Sequence, residues 1–159
     1  MKIDPEIRLK KLKDCQQGEI VRLRNGANIA LVIENDPVQS TIAVLSPSMA
    51  LRHVQLSINC ISFGSSWVLE PTIDENTRPQ NTKYTETAGS IQITDEGPIL
   101  VLQNPNGWAP AGVNLDDYKI ISTIGQNTAP ILQWRLWLSE ASRDRGEPPF
   151  FEFAHQPAD

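Results

Sequence analysis

Apolar and polar residues alternate along much of this chain, the period of half-buried β-strands. Val21 and Leu23 alternate with Arg22 and Arg24, and Asn25-Gly26 follows as a tight-hairpin signal. Residues 29–33 read as the returning strand, Asn35-Asp36-Pro37 as a turn, 41–45 as a third strand, and Ser46-Pro47-Ser48 as its stop. The cleanest alternation sets Val54, Leu56, Ile58 and Cys60 against Gln55, Ser57 and Asn59, and predicts one strand. Residues 67–69 complete this half. Short strands with closely spaced turns point to a small barrel or sandwich, not to βαβ units. One short helix is expected ahead of them, over 5–13. Asp4 can cap it, Pro5 fits its first position, Glu6 suits its positive end, and Leu9 and Leu12 share a side.

Residues 71–88 are polar and poor in large apolar groups, and are read as a linker. Beyond it the alternation resumes. Ile91 and Ile93 alternate with Gln92 and Thr94, Asp95-Glu96-Gly97 turns, and 99–102 returns. A Pro/Gly-framed loop around Trp108 follows, then a strand over 118–124. The stretch ILQWRLWL at 131–138 fits either period. A strand to Leu138 and then a helical turn or two, stopped by Pro148-Pro149, is the reading adopted. The expected organisation is a helix plus first β half at 1–70, a linker at 71–88, a second β half at 89–146 and a tail at 147–159. The fold class is mainly β, a β-dominated α+β chain.

The two halves echo one another. GEIVRLRNG at 18–26 and GSIQITDEG at 89–97 share Gly, Ile and Gly at the same spacing. Tandem duplication is one reading and ordinary hairpin chemistry in one β domain is the other. Against duplication, the apolar pair stands three and five residues after the first glycine in one copy (Val21, Leu23), but two and four in the other (Ile91, Ile93). A one-residue slip inverts a strand.

Charge modifies this picture only at the N-terminus. The formal net charge of the 159 residues is −5, yet residues 1–24 carry +3, which leaves −8 for the remainder. A global nucleic-acid footprint is therefore absent. Met1-Lys2-Ile3-Asp4 does not open an apolar signal, and no run reaches the roughly 18 apolar residues of a membrane span. With Cys15 and Cys60 as the only cysteines, the expectation is a cytoplasmic protein with reduced thiols and no membrane association.

Signatures of chemistry are absent from the sequence. His53 and His155 are far apart, and no CxxC, HxH, HExxH or phosphate-loop motif occurs, so no metal, no cofactor and no catalytic residue is assigned. On one strand, His53 and Cys60 would lie about 20 Å apart. The acidic pairs Asp74-Glu75, Asp95-Glu96 and Asp116-Asp117 fall in turns, where Asp favours local backbone bonding.

Three features suit binding. Trp108 can anchor a contact. Phe150, Phe151 and Phe153, after two prolines, are expected to dock as an extended segment on this chain, a second copy or a partner. Lys10, Lys11, Arg22 and Arg24 can form one basic patch. The sequence thus points to a non-catalytic, stoichiometric protein-binding module, an adaptor, assembly subunit or inhibitor/immunity-type partner. Its partner is a protein or, as a homo-oligomer, a second copy. The alternatives are a nucleic-acid accessory protein using the basic face, and an enzyme or small-ligand binder with a pocket between the halves.

Overall fold

A computed structural model describes residues 6–23, 29–74, 87–105, 107, 109–122 and 129–155. The chain divides into two compact units, Met1–Ser66 and Trp67–Asp159. Both are built from antiparallel strands.

The first unit contains β1 (Arg8–Lys11), a 3-10 turn (Leu12–Asp14), β2 (Ile20–Leu23), β3 (Ile29–Asn35), β4 (Gln39–Ser46), β5 (Ala50–Gln55) and β6 (Asn59–Ser62). They form one sheet in the order β1-β6-β2-β3-β4-β5. One face of it packs Val21, Leu23, Ala30, Val32, Ile42, Val44 and Cys60 together with Leu12 and Cys15. The β3–β4 turn is closed by Asp36, whose Oδ1 accepts from Val38 N at 2.7 Å and Gln39 N at 2.8 Å.

Two expectations fail in this unit. The helix over 5–13 is not formed: 8–11 is strand β1, paired with β6. A helix of nine residues is marginal in water, and it would have put Leu9 and Leu12 on one side. The strand and the 3-10 turn separate them, with Leu12 fully buried and Leu9 79% exposed. The single strand over 54–60 is instead broken into the end of β5 and the start of β6, which pair with different neighbours and not with each other. The chain turns at Leu56-Ser57, with Ile58 N donating to Gln55 O at 3.3 Å. Leu12 N and Lys13 N donate to Ile58 O and Leu56 O of this turn, at 2.9 and 3.0 Å. The hairpin tip Asn25-Gly26 lies outside the described residues, although β2 and β3 pair as a hairpin would require.

The second unit contains β7 (Val68–Pro71), β8 (Ile91–Thr94), β9 (Gly97–Leu102), β10 (Ala111–Asn114), β11 (Ile120–Ile121), β12 (Ala129–Ile131), β13 (Gln133–Trp137), α1 (Glu140–Asp144) and β14 (Phe151–Ala154). Five of its strands follow the order β11-β10-β9-β8-β12, and three form a second sheet, β14-β13-β7. The segment expected to close the first half belongs here, because β7 hydrogen-bonds to β13. The polar segment after it therefore lies within the second unit, and 75–86 fall outside the described residues. The ambiguous 131–138 stretch takes in the last residue of β12, Ile131, and strand β13 with Trp134 and Leu136 buried, followed by α1, whose N-terminus is capped by Ser139 Oγ accepting from Ser142 N. The strand expected over 118–124 is reduced to β11, with 123–128 outside the described residues.

The two sheets share a plan. Read from its second member, the first unit's sheet runs β6-β2-β3-β4-β5, and the five-stranded sheet of the second runs β12-β8-β9-β10-β11, with every pairing antiparallel. The matching glycines open both in the same way. Gly18 and Gly89 have φ of 90° and 93°, a conformation that favours glycine. Each sits in a turn closed by the next amide (Glu19 N to Gln16 O, Ser90 N to Thr87 O) and donates to a valine two strands' length away (Val32 O, Val101 O). Ile20 then faces Leu31, as Ile91 faces Leu100. The phase difference read from the sequence disappears, because both strands are buried on both faces where they begin. Ile20 and Val21 are inaccessible in one, Ile91 and Gln92 in the other, while Ile93 is turned out at 44% exposure.

Candidate functional site

Strand alternation sorts the N-terminal basic residues onto two faces. Across the β1-β6-β2 ladder, Lys10, Cys60 and Leu23 stand in one row and Leu9, Ile61 and Arg22 in the next. Neighbours in such a row point to the same side. Lys10 therefore points inward with the core, whereas Lys11 and Arg22 point outward with Leu9 and Ile61. The four-residue patch expected from the sequence is divided: Lys10 leaves it, and Arg24 lies outside the described residues.

Lys10 leaves it for a carboxylate. Glu19 stands between the turn glycine and β2 and is 94% buried by its 6% exposure. Its Oε1 accepts from Lys10 Nζ at 2.8 Å and from Ser62 Oγ at 2.6 Å, and its Oε2 from the backbone amide of Gln16. Burial pushes the Glu19 carboxyl up, but the bonds from Lys10, Ser62 and Gln16 and the charge of Lys10 outweigh it and hold the group below the ordinary glutamate range. The hydrogen bond to Glu19 raises Lys10 in turn. Glu6, Arg8, Lys10, Gln16, Glu19, Gly64 and Ser65 line a cavity of about 350 Å³ over this pair. That is the lower end of the size of ligand sites. Glu6 forms its rim, with Oε1 accepting from Ser66 Oγ at 2.9 Å. A side chain at Gly64 would meet Glu6 Oε2 at 2.6 Å.

Below the pair lies a second one. Cys15 Sγ and Cys60 Sγ are 3.6 Å apart, both buried. The strand-length argument that separated His53 from Cys60 does not apply, since a turn intervenes. The two are nevertheless committed elsewhere: His53 Nδ1 bonds Thr41 Oγ1 at 2.9 Å, while Cys60 faces Cys15. Ser62 is fully buried, with its hydroxyl donated to Glu19 and accepting from Gly64 N at 3.2 Å. Among the described residues no three His, Cys, Asp or Glu side chains gather as a metal site would require.

The tail is docked on its own chain. β14 pairs with β13, placing Phe153 opposite Trp134 and Phe151 opposite Leu136. Phe151 and Phe153 cover the Trp134 ring at centroid distances of 5.5 and 5.7 Å. Phe150 precedes the strand, its amide donating to Leu136 O at 2.8 Å. All three phenylalanines are half-buried. Trp108 lies outside the described residues.

Sequence reasoning missed Glu19, Ser62 and the cysteine pair. The available signal was Gly18-Glu19-Ile20-Val21, a lone acid between a turn glycine and a strand that is apolar on both faces at its start.

These features define a protein of two antiparallel β units, with a buried ion pair under a polar cavity in the first and a docked C-terminal strand in the second. No family model, no curated protein and no solved structure matches the chain.

Proposed function

We propose that this chain is a non-catalytic, stoichiometric protein-binding module made of two tandem copies of one β unit. The shared strand order and the shared glycine turns support the duplication. The observation that carries the binding reading is the outer row of the β1-β6-β2 ladder. Leu9 is 79% exposed and Ile61 40% exposed at its centre, with Arg22 in the same row and Lys11 beside Leu9 on the same face. A strand that leaves a leucine in water while its neighbour Lys10 is drawn inward presents apolar surface flanked by cations. The matching occupant is a protein surface with an apolar anchor ringed by carboxylates, since complementary charge at a rim sets approach and register. On a chain of net charge −5 the two cations give this face a local sign opposite to the whole.

The test pairs two substitutions with one titration. Leu9→Asp with Ile61→Asp reverses the chemistry of the face without touching a core contact. A partner captured by the native chain, then purified and titrated, should bind at one-to-one stoichiometry and lose at least tenfold in affinity to the double variant, with melting temperature unchanged. Lys11→Glu with Arg22→Glu should slow association. Equal affinity for all three proteins overturns the reading. Loss of self-association instead makes the occupant a second copy, and binding of an oligonucleotide that falls steeply with salt transfers the face to nucleic acid.

A further inference from the structure

We infer that Cys15 and Cys60 are a redox-modification site, a buried dithiol that closes to a disulfide with a small peroxide and thereby locks the N-terminal strand to the sheet. Three observations meet here. The sulfurs are 3.6 Å apart, so a change of side-chain torsion rather than of backbone brings them to the roughly 2.05 Å of a bond. They join segments that the sequence keeps far apart: Cys15 ends the 3-10 turn after β1, and Cys60 lies on β6, between β1 and β2. Lastly, the cavity over Glu19 is lined by Lys10, the cross-strand neighbour of Cys60, and by Gln16, the chain neighbour of Cys15. A small uncharged solute in that cavity stands one residue from either sulfur, whereas the burial of both excludes larger thiols and disulfides.

The pairing also divides the labour between the sulfurs. Either sulfur can donate across the contact, and with Cys15 as the donor the thiolate of Cys60 is favoured while Cys15 is held as the thiol. The nucleophile is the thiolate. Cys60 sulfur attacks one oxygen of hydrogen peroxide, the O–O bond breaks, and hydroxide leaves to be protonated to water. Cys60 is then a sulfenic acid. Cys15 sulfur attacks it, the S–S bond forms, the S–O bond breaks, and the departing hydroxide takes the Cys15 proton as a second water. Two thiols lose two electrons and two protons, and one peroxide becomes two waters.

The experiment treats the native full-length chain with a few equivalents of hydrogen peroxide and reads intact mass, a non-reducing peptide map and melting temperature. The expected result is a mass lower by two hydrogens and a peptide joining Cys15 to Cys60. The melting transition should rise by roughly 5–10 °C, as expected for a cross-link closing a loop of this length, and dithiothreitol should reverse it. Glutathione disulfide at the same concentration should leave the thiols free. Oxygen added at either cysteine without the joined peptide overturns the inference. So do cross-links between chains, unchanged mass under conditions that oxidise the unfolded chain, or a melting temperature lowered by the bond.

Discussion

Substituting Lys10 by methionine strands the Glu19 carboxylate in a site where its side chain is only 8% exposed. Ser62 and the Gln16 amide remain as donors, but the ammonium bonded to Oε1 is lost. Breaking a fully buried pair costs about 3–5 kcal/mol, and exposed pairs are worth about 0.2–1 kcal/mol. Here one partner is buried and the Lys10 side chain is 28% exposed, so the coupling should fall between these limits, at about 1–3 kcal/mol. The two single substitutions should be unequal. Lys10→Met leaves a buried charge unpaired, whereas Glu19→Gln leaves an ammonium that can turn to water, so the first should be the more destabilising. The pH dependence has a definite sign. Glu19 is depressed in the folded chain, so its contribution is present above the unfolded glutamate value of about 4.3 and is lost as pH falls through the lower folded value. Lys10 is raised, so its contribution holds below about 10.4 and is lost as pH rises beyond that. The assay is a double-mutant cycle, Lys10→Met against Glu19→Gln, by urea unfolding at pH 7 and pH 4. Backbone circular dichroism is the required signal, because Trp67, Trp108, Trp134 and Trp137 all belong to the second unit and their fluorescence reports on that unit. A coupling energy below about 0.3 kcal/mol at pH 7, unchanged on acidification, would refute the argument that this pair stabilises the first unit.

Further outcomes follow from the second unit. Gly89→Ala should cost at least about 2 kcal/mol, since φ is +93° and the new methyl carbon would stand 2.2 Å from Phe153 Cε2. Combining it with Phe153→Ala should recover only the steric part, and full additivity in urea unfolding would disprove the contact. Deleting residues 147–159 removes β14 and uncovers Trp134, which is 1% exposed. The half-burial of Phe151 and Phe153 sets the loss at about 2–4 kcal/mol, read as a lower melting temperature with red-shifted tryptophan emission. Unchanged values would mean that the tail does not dock. Asn35→Ala, which removes the Nδ2 bonds to Leu12 O at 2.7 Å and Cys15 O at 2.9 Å, should cost about 1–3 kcal/mol, since Leu12 O keeps the Cys15 amide but Cys15 O loses its side-chain donor. Equilibrium unfolding within about 0.3 kcal/mol of the native chain would contradict it.

What the sequence made legible was what neighbouring residues decide. The Asp36 turn, the returning strands, the change from strand to helix after Trp137 and the extended tail all rest on local spacing and turn chemistry. What it concealed depends on partners distant in the chain. Residues 8–11 follow the helix-start signals of Asp4, Pro5 and Glu6, yet β6, some fifty residues on, takes them as a strand. The turn at 56–58 has no Gly or Pro to mark it, and the amides of Leu12 and Lys13, more than forty residues away in the chain, bond to its carbonyls. Lys10 and Arg22 look alike in the sequence, and only the register of three strands sends one inward to Glu19 and the other out to Leu9.

The same contrast bears on how two units of one plan can come to differ. At the position of Glu19, just after the turn glycine, the second unit has Ser90. Its hydroxyl donates to Thr87 O at 2.7 Å and accepts from Gln92 Nε2 at 2.9 Å, all neutral, with Ser90 and Gln92 buried. A carboxylate in that place would need a cation, and none is supplied by a further strand: among the described residues the five-stranded sheet ends at β12, with no strand in the place of β1. In the first unit β1 supplies Lys10, and the burial of Glu19 becomes tolerable. The strand that brings the lysine inward also carries Leu9 outward and ends at the turn that sets Cys15 against Cys60. The ion pair, the exposed apolar row and the cysteine pair are therefore consequences of one added strand. If the units are copies, the place where they differ most is β1, and that is where the proposed partner surface lies.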